Sequence, residues 1–201
     1  IKNSLLHRTM KTASIYLFRH GQTTFNRDAK FTGLIDAPLT QTGRNDAKII
    51  ALRLKNKKIQ AAFHTRLARS KDTLKEILKH HPECTQLMQD DRMIEREYGS
   101  LSGKTHWNIV QKHGVKKYDN WHRGFTTRPP NGESFADVEK RVKSFIKDLA
   151  AYIKKEKINV AISAHGNSIR LFRKIMEKAS AEEAVSWFIP YDDYYEYTIA
   201  L

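Results

Sequence analysis

Apolar positions along this chain fall into short continuous runs, separated by longer stretches with helical spacing. The runs at 15–18, 59–63 and 158–163 have the length of buried strands. Between them, apolar residues recur every three or four positions, and the longest such stripe extends from Phe135 to Ile153. Strands separated by helices favour parallel pairing through crossover connections. The pattern therefore predicts an α/β fold built on a mostly parallel sheet.

Less regular segments complete the expected order of elements. We expect further helices from an N-cap at Thr40, from Leu67 to the stop at Pro82 and over 169–178, and further strands over 86–89 and 193–201. Residues 104–133 are expected to carry a short helix at 107–112 and then a loop with Trp121, His122 and Arg123. We interpret this segment as a lid region inserted into a single domain that spans 11–201. Residues 1–10 are expected to be a tag or a disordered terminus.

Charge and composition narrow the class of protein. The chain has 36 Lys and Arg against 22 Asp and Glu, and the resulting net charge of +14 attracts anions. The lysines are spread over several amphipathic segments, and no nucleic-acid-binding motif is present. No apolar run has the length of a membrane span, and the single Cys84 excludes an intrachain disulfide. We therefore expect a cytoplasmic protein that binds small phosphorylated metabolites, with no specific nucleic acid and no membrane as partners.

Two histidines stand at equivalent places in the predicted fold. His20 and His165 each follow a predicted strand and precede a glycine, Arg19 stands beside His20, and Arg69 follows the strand at 59–63. Because ligands bind at the carboxyl ends of strands in open α/β sheets, these four side chains are expected to converge. One histidine alone is more often structural than catalytic. Its repetition at two strand ends favours a functional site.

Two arginines and two histidines suit phosphoryl transfer. Arginine binds phosphoryl oxygens with paired N–H groups, and a neutral imidazole can attack phosphorus without a metal. For this attack, the other ring nitrogen of His20 must be held as a donor, and a backbone carbonyl is the expected acceptor. Glu95, in a polar loop, is the candidate general acid and base. Its neighbours Arg96 and Glu97 are expected to form salt bridges.

The motifs around these residues resemble those of a known enzyme family. They are Arg19-His20-Gly21-Gln22-Thr23-Thr24-Phe25-Asn26, Phe31-Thr32-Gly33, Leu39-Thr40-Gln41-Thr42-Gly43, Thr65 to Thr73, Glu95-Arg96-Glu97-Tyr98-Gly99, Gly132-Glu133-Ser134 and Ala164 to Arg170. From Ser14 to Leu201 the chain is similar to the histidine phosphatase superfamily, and within it to the short, cofactor-dependent phosphoglycerate mutases. The resemblance implies a three-layer, doubly wound, mostly parallel sheet with helices on both faces.

The same resemblance implies roles for individual residues. His20 would be the phosphorylated nucleophile and Glu95 the acid and base. The groups that would stabilise the transferring phosphoryl group are Arg19, Arg69 and His165. The implied substrate contacts are Asn26, Thr32, Gly33, Tyr98, His106, His122, Arg123, Gly166 and Asn167. For Thr32 and Gly33 the alternative is that they only shape a turn.

The chain departs from the mutase pattern at two positions. His106 and His122 stand where the pattern has a lysine and an arginine. Because histidine is only partly charged at neutral pH, binding of a carboxylate or a second phosphate is expected to be weaker and pH-dependent. Lys104 is a candidate for compensating the lost charge.

Three functions remain as alternatives at this stage. The resemblance implies a glycolytic and gluconeogenic mutase that interconverts 3-phosphoglycerate and 2-phosphoglycerate through phosphorylated His20, primed by 2,3-bisphosphoglycerate and without a metal. A histidine-type phosphomonoesterase acting on small phosphorylated metabolites would share the first chemical step. A basic module that binds nucleic acid or an acidic protein is the alternative from another class. A homodimer is a candidate oligomeric state.

Overall fold

Five strands form the central sheet of the protein, which a computed structural model describes over residues 11–201. They are β1 (Thr12–Arg19), β2 (Ala61–His64), β3 (Gln86–Gln89), β4 (Val160–Ala164) and β5 (Tyr194–Ala200). Their order is β3-β2-β4-β1-β5, and among them β5 alone runs antiparallel to its neighbour. The mostly parallel α/β sheet is confirmed. β1 and β2 are not adjacent, however, because β4 lies between them. The prediction for residues 1–10 lies outside the described residues.

Eight helices are present in the described part of the chain. They are α1 (Thr24–Arg27), α2 (Gln41–Leu54), α3 (Ala68–Leu78), α4 (His106–His113), α5 (Val115–Arg123), α6 (Phe135–Glu156), α7 (Gly166–Glu177) and α8 (Ala181–Ser186), and two short 3-10 helices span Asp91–Met93 and Gly99–Leu101. None of these helices combines the length and apolar character needed to cross a membrane.

Two predicted boundaries are wrong. Residues 121–123 form the last turn of α5 instead of a loop. Glycines at 114 and 124 flank this helix, while Tyr118 and Trp121, three positions apart, share its apolar face. Helix α7 begins at Gly166, three residues before the predicted start, so that Gly166 and Asn167 belong to its first turn.

Helices pack on both faces of the sheet and make three layers. On one face, α2 and α3 bury Ile50, Leu54 and Ile77 against Phe18 of β1. On the other face, α6 and α7 build the larger cluster with the opposite side chains of β1, β2 and β4. The long stripe of α6 is capped at Ser134, whose hydroxyl accepts from the N–H of Asp137. The predicted three-layer, doubly wound arrangement is confirmed.

The register between β1 and β4 places the two histidines at one edge. The strands are parallel, and Arg19 lies opposite Ala164 in the ladder. His20 and His165 directly follow the ends of these two strands, and the N–H of His20 donates to the carbonyl of Ala164 over 3.1 Å. Both side chains therefore leave the sheet at its carboxyl edge, as the sequence predicts.

The inserted segment 104–133 is tied to the domain by a buried arginine. Arg96 is fully buried, and its guanidinium donates to the backbone carbonyls of Trp121, His122, Thr127 and Glu133. The prediction that Arg96 and Glu97 form salt bridges is wrong within the described residues: Glu97 accepts from the N–H of Gly99 and the hydroxyl of Ser102. Closure of this segment as a lid stays a prediction.

Candidate active site

The ring of His20 is held in one orientation by its own chain. Its Nδ1 lies 2.8 Å from the carbonyl oxygen of Gly21, which can only accept, so Nδ1 carries the proton and Nε2 keeps its lone pair. Burial first, and then the charges of Arg69 and Arg19, hold the pKa of His20 well below its ordinary value. The ring is therefore neutral at neutral pH, the state in which it can act as a nucleophile.

His165 lies beside His20, with 5.0 Å between the ring centroids. Its Nε2 is 2.8 Å from the hydroxyl of Thr65, the first residue after β2, whereas its Nδ1 is buried and has no partner within residues 11–201. Burial and the nearby charge of Arg69 keep its pKa well below the ordinary value. Its Nδ1 is therefore available to a ligand at the shared sheet edge.

Arg19 and Arg69 converge on the same point from different elements. Arg19 donates to the carbonyl of Ile189 over 3.0 Å and stacks on the ring of Tyr191. Arg69, fully buried at the start of α3, donates to the carbonyls of Gly33 and Ile35. Burial lowers the pKa of Arg69 to about 10, so it remains charged at neutral pH.

Unpaired nitrogens mark this point as a ligand site. Four buried side-chain nitrogens lack a hydrogen-bond partner in the described part of the chain, and three of them are Nε of Arg19, Nε of Arg69 and Nδ1 of His165. Buried donors without partners are rare in folded proteins because each costs free energy. Their concentration beside His20 indicates that an anion with several acceptor oxygens completes the site.

Glu95 is fixed at the mouth of this anion site. It is 7% exposed, and its Oε1 accepts from the N–H of Arg96 over 2.8 Å and from the N–H of Asn167 over 3.1 Å. The side chain of Asn167 is held in turn by the hydroxyl of Tyr98 and by Arg170. The carboxylate is thus attached to the N-terminus of α7, directly after His165.

A cavity of about 340 Å³ opens above these groups. The sequence-predicted residues that line it are Arg19, Asn26, Thr32, Gly33, Glu95, Tyr98, His106, His122, Arg123, Gly166 and Asn167. The other three are buried next to lining residues, since His20 follows Arg19, His165 precedes Gly166 and Arg69 donates to Gly33. Gly33 has a φ of 53°, so it shapes a turn and lines the cavity at once.

His106 and His122 form part of an aromatic wall. The ring of His106 lies 4.1 Å from that of Phe31 and its Nδ1 is 2.8 Å from the hydroxyl of Tyr118, while the ring of His122 lies 5.1 Å from that of His106. Burial and then the charge of Arg123 lower the pKa of both histidines. They are neutral at neutral pH, and Lys104 is exposed and outside the lining residues. The wall therefore carries less charge than a lysine and an arginine would give it.

Sequence reasoning did not assign a role to Arg170 or to Lys30, which also line the cavity. Arg170 stands on α7, one turn after Gly166, so its side chain returns to the same face of the helix. The four-residue spacing of Gly166 and Arg170 is visible in the sequence. It predicts a shared helix face only if α7 begins at Gly166. Within residues 11–201, no group of three or more His, Cys, Asp or Glu side chains is arranged to hold a metal ion.

This geometry agrees with a family comparison. The family model of the histidine phosphatase superfamily (branch 1) matches residues 15–199. The chain belongs to the histidine phosphatase superfamily. The superfamily resemblance inferred from the motifs is thereby confirmed.

Two sequence relatives carry the same enzyme name. The chain is 35% identical over 177 residues to a 2,3-bisphosphoglycerate-dependent phosphoglycerate mutase of Bartonella bacilliformis, covering 86% of this chain and 85% of the relative. It is 33% identical over 182 residues to a second such mutase from Gloeobacter violaceus, covering 89% of this chain and 82% of the relative.

Solved structures of the same superfamily fold carry other names. A mycobacterial glucosyl-3-phosphoglycerate phosphatase superposes with a TM-score of 0.80 at 22% identity, covering 93% of this chain and 90% of that one. A protein described as mycobacterial hydrolase 1 gives a TM-score of 0.81 at 22% identity, covering 93% of this chain and 92% of that one. At this identity they establish the fold of the chain.

Proposed function

We propose that this protein interconverts 3-phosphoglycerate and 2-phosphoglycerate through a phosphohistidine at His20. The observation that carries the proposal is the distribution of charge around the cavity. Arg19, Arg123, Arg170 and Lys30 line it against the single carboxylate of Glu95. 3-Phosphoglycerate has a phosphate at one end and a carboxylate at the other, and this excess of cations suits a ligand with two anionic groups.

The chemistry follows from the fixed positions of His20 and Glu95. The lone pair on Nε2 of His20 attacks phosphorus in line, and the bond from phosphorus to the ester oxygen breaks. Glu95 gives its proton to the departing oxygen, and the arginines and Nδ1 of His165 bind the phosphoryl oxygens. In the second half of the cycle, Glu95 takes a proton from an acceptor hydroxyl, whose oxygen attacks phosphorus and frees His20.

Burial of the nucleophile favours transfer to a bound hydroxyl over transfer to water. His20 is 2% exposed, so bulk water reaches its phosphorylated form only through the cavity. A phosphoglycerate that remains in the cavity fills this route. This shielding supports the mutase proposal over rapid hydrolysis.

The cavity also suits the proposed primer, 2,3-bisphosphoglycerate. One phosphate would be held by the unpartnered nitrogens of Arg19, Arg69 and His165. The other phosphate and the carboxylate would be held by Arg123 and Arg170, which also line the cavity. When bound, the primer supplies the phosphoryl group that loads His20. The proposed chemistry uses no metal.

A second candidate function is phosphomonoester hydrolysis. It is favoured by His106 and His122, because neutral rings in the cavity wall hold a carboxylate less strongly than a lysine and an arginine would. A glycerate that leaves before it is rephosphorylated would let water accept the phosphoryl group.

One assay separates the two candidates. 3-Phosphoglycerate is supplied with and without 2,3-bisphosphoglycerate, and 2-phosphoglycerate and free phosphate are both measured. We expect primer-dependent formation of 2-phosphoglycerate with little phosphate. Phosphate release without any isomer would contradict the mutase proposal. His20→Ala should abolish both products, whereas His80→Gln, an exposed position just beyond α3, should change neither.

A further inference from the structure

Arg170 is a cation in the cavity wall without a carboxylate partner. Its Nε and one terminal nitrogen donate to the carbonyl of Trp187 over 3.0 and 2.8 Å, and the other terminal nitrogen donates to Oδ1 of Asn167 over 2.9 Å. Of the ion pairs within residues 11–201, none includes Arg170. A guanidinium has five N–H groups, so two remain for a ligand after these three bonds.

A second guanidinium lies close to Arg170. Burial, followed by the repulsion of Arg123, lowers the pKa of Arg170 to about 10, so Arg170 remains charged at neutral pH. Arg123 lines the same cavity. Two like charges in one partly buried wall are unfavourable unless an anion bridges them. The pair is therefore arranged as one half of an ion-binding site.

The carbonyl of Trp187 and the amide of Asn167 hold Arg170 before any ligand arrives. Asn167 is itself oriented by the hydroxyl of Tyr98 over 2.9 Å. A cation already fixed by its neighbours loses little rotamer freedom when it binds an anion, and this favours affinity. His106 and His122, which are neutral and line the same cavity, cannot supply this attraction.

We propose that Arg170, together with Arg123, binds the carboxylate of the substrate and so selects phosphorylated hydroxy acids over phosphorylated alcohols. The charge that is lost at positions 106 and 122 is thereby supplied from α7. This inference rests on the proposed function, because it assigns the second anionic end of the same substrate.

Arg170 also holds the segment that follows α8, and this purely structural role must be separated from ligand binding. Arg173, one turn along α7, provides the matched control. Its guanidinium stacks on the ring of Trp187 at 3.9 Å and pairs with Glu177, and it is not among the cavity-lining residues. Arg173→Met therefore removes a support of Trp187 without removing a charge from the cavity.

The experiment measures binding with two ligands that differ only in the carboxylate. Full-length His20→Ala protein, which cannot be phosphorylated, is titrated calorimetrically with 3-phosphoglycerate and with glycerol 3-phosphate. The same titrations are made with Arg170→Met, Arg170→Lys and Arg173→Met in that background, and urea unfolding confirms that each variant is folded. Arg170→Met should weaken the binding of 3-phosphoglycerate by about 10- to 100-fold, which is the value of a charge-assisted hydrogen bond. The binding of glycerol 3-phosphate should weaken by less than about threefold. Arg170→Lys should restore part of the lost affinity for 3-phosphoglycerate. Arg173→Met should leave the ratio of the two ligand affinities unchanged.

Three results would overturn the inference. They are an equal loss of affinity for both ligands in Arg170→Met, no loss of affinity for either ligand, or the same change in the ratio of affinities in Arg173→Met. The proposed function is judged separately, by the formation of 2-phosphoglycerate in the unmutated protein. If that isomer is absent but Arg170→Met selectively weakens 3-phosphoglycerate, the mutase proposal fails and the carboxylate site stands.

Discussion

The carboxylate of Glu95 accepts a hydrogen bond from the backbone N–H of Asn167 over 3.1 Å. This bond connects the proposed acid and base, which comes from a loop after β3, to the first turn of α7. The same turn follows His165 and places Arg170 in the cavity wall. One helix start therefore fixes the positions of the proposed proton donor, the proposed phosphoryl-binding ring and the proposed carboxylate site.

Glu95→Gln tests the role of this carboxylate. The glutamine oxygen can still accept from the N–H groups of Arg96 and Asn167, so the geometry should be kept. Turnover of 3-phosphoglycerate should fall by about 10²- to 10⁴-fold, because an alkoxide leaving group needs a proton. The p-nitrophenol burst from p-nitrophenyl phosphate should be nearly unchanged, since that leaving group departs without one. An equal loss with both substrates, measured by stopped-flow absorbance, would show that Glu95 has a different role.

The paired substitution His106→Lys and His122→Arg restores the charges of the mutase pattern. Because both histidines are neutral in the folded protein, the exchange adds two cations beside Arg123. The KM for 3-phosphoglycerate at pH 8 should fall, by roughly tenfold for one added charged hydrogen bond, and free phosphate should decrease relative to 2-phosphoglycerate. Kinetics identical to those of the unmutated protein would exclude these positions from substrate recognition. Glycerol 3-phosphate, which lacks the carboxylate, serves as the control ligand.

Acid should destabilise the protein through its buried histidines. Burial lowers the pKa of His122 to about 2, whereas an unfolded histidine titrates near 6.5. Between these two values the unfolded chain binds a proton that the folded protein does not, so stability falls as the pH decreases below about 6.5. His20, His106 and His165 have the same sign of shift.

His122→Phe isolates one of these protons. The slope of the unfolding free energy against pH should decrease by up to about 1.4 kcal/mol per pH unit between pH 6 and pH 5. Urea titrations at several pH values measure this slope. The phenyl ring can keep the packing against Phe31 and Tyr118, whose ring centroids lie 5.5 and 5.1 Å from that of His122. A slope equal to that of the unmutated protein would show that His122 takes up its proton in the folded state as well.

Gly43→Ala should disturb the turn that carries His20. A Cβ at Gly43 would lie 2.0 Å from the carbonyl oxygen of Gln22, and one at Gly21 would lie 2.0 Å from the carbonyl oxygen of Gly43. The exit of β1 and the start of α2 thus pass too close for any side chain. We expect a loss of about 2 kcal/mol or more in unfolding free energy. Thr42→Ala, at an exposed neighbouring position, should have little effect in the same urea titration.

Some of this molecule is determined by local sequence. The periodicity of α6 and the cap at Thr40 are local, and so are the β3 bounds 86–89, all of which the structure confirms. The repeated His-Gly at two strand ends predicts a shared edge because parallel strands have the same direction. The held Nδ1 of His20 is also a local property, since its acceptor is the carbonyl of the next residue.

Other features depend on contacts between distant parts of the chain. Sequence order favours neighbouring strands, yet β4, more than 90 residues after β2, inserts between β1 and β2. Residues 121–123 become helical because Trp121 packs with Phe31 and Tyr98 from other segments. Arg96 binds backbone carbonyls that only the folded insert presents.

The charge state of the site shows most clearly what the sequence determines and what only the tertiary structure decides. From sequence alone, His106 and His122 are partly charged residues, and Arg170 is one basic residue among many. Burial and the proximity of Arg123 make the two histidines neutral and bring Arg170 into the cavity as a cation without a carboxylate partner among the described residues. Desolvation and Coulomb interactions depend on distances that the tertiary structure sets. The sequence thus identifies the groups that we propose move a phosphoryl group, and the fold decides which residues of the cavity wall are charged.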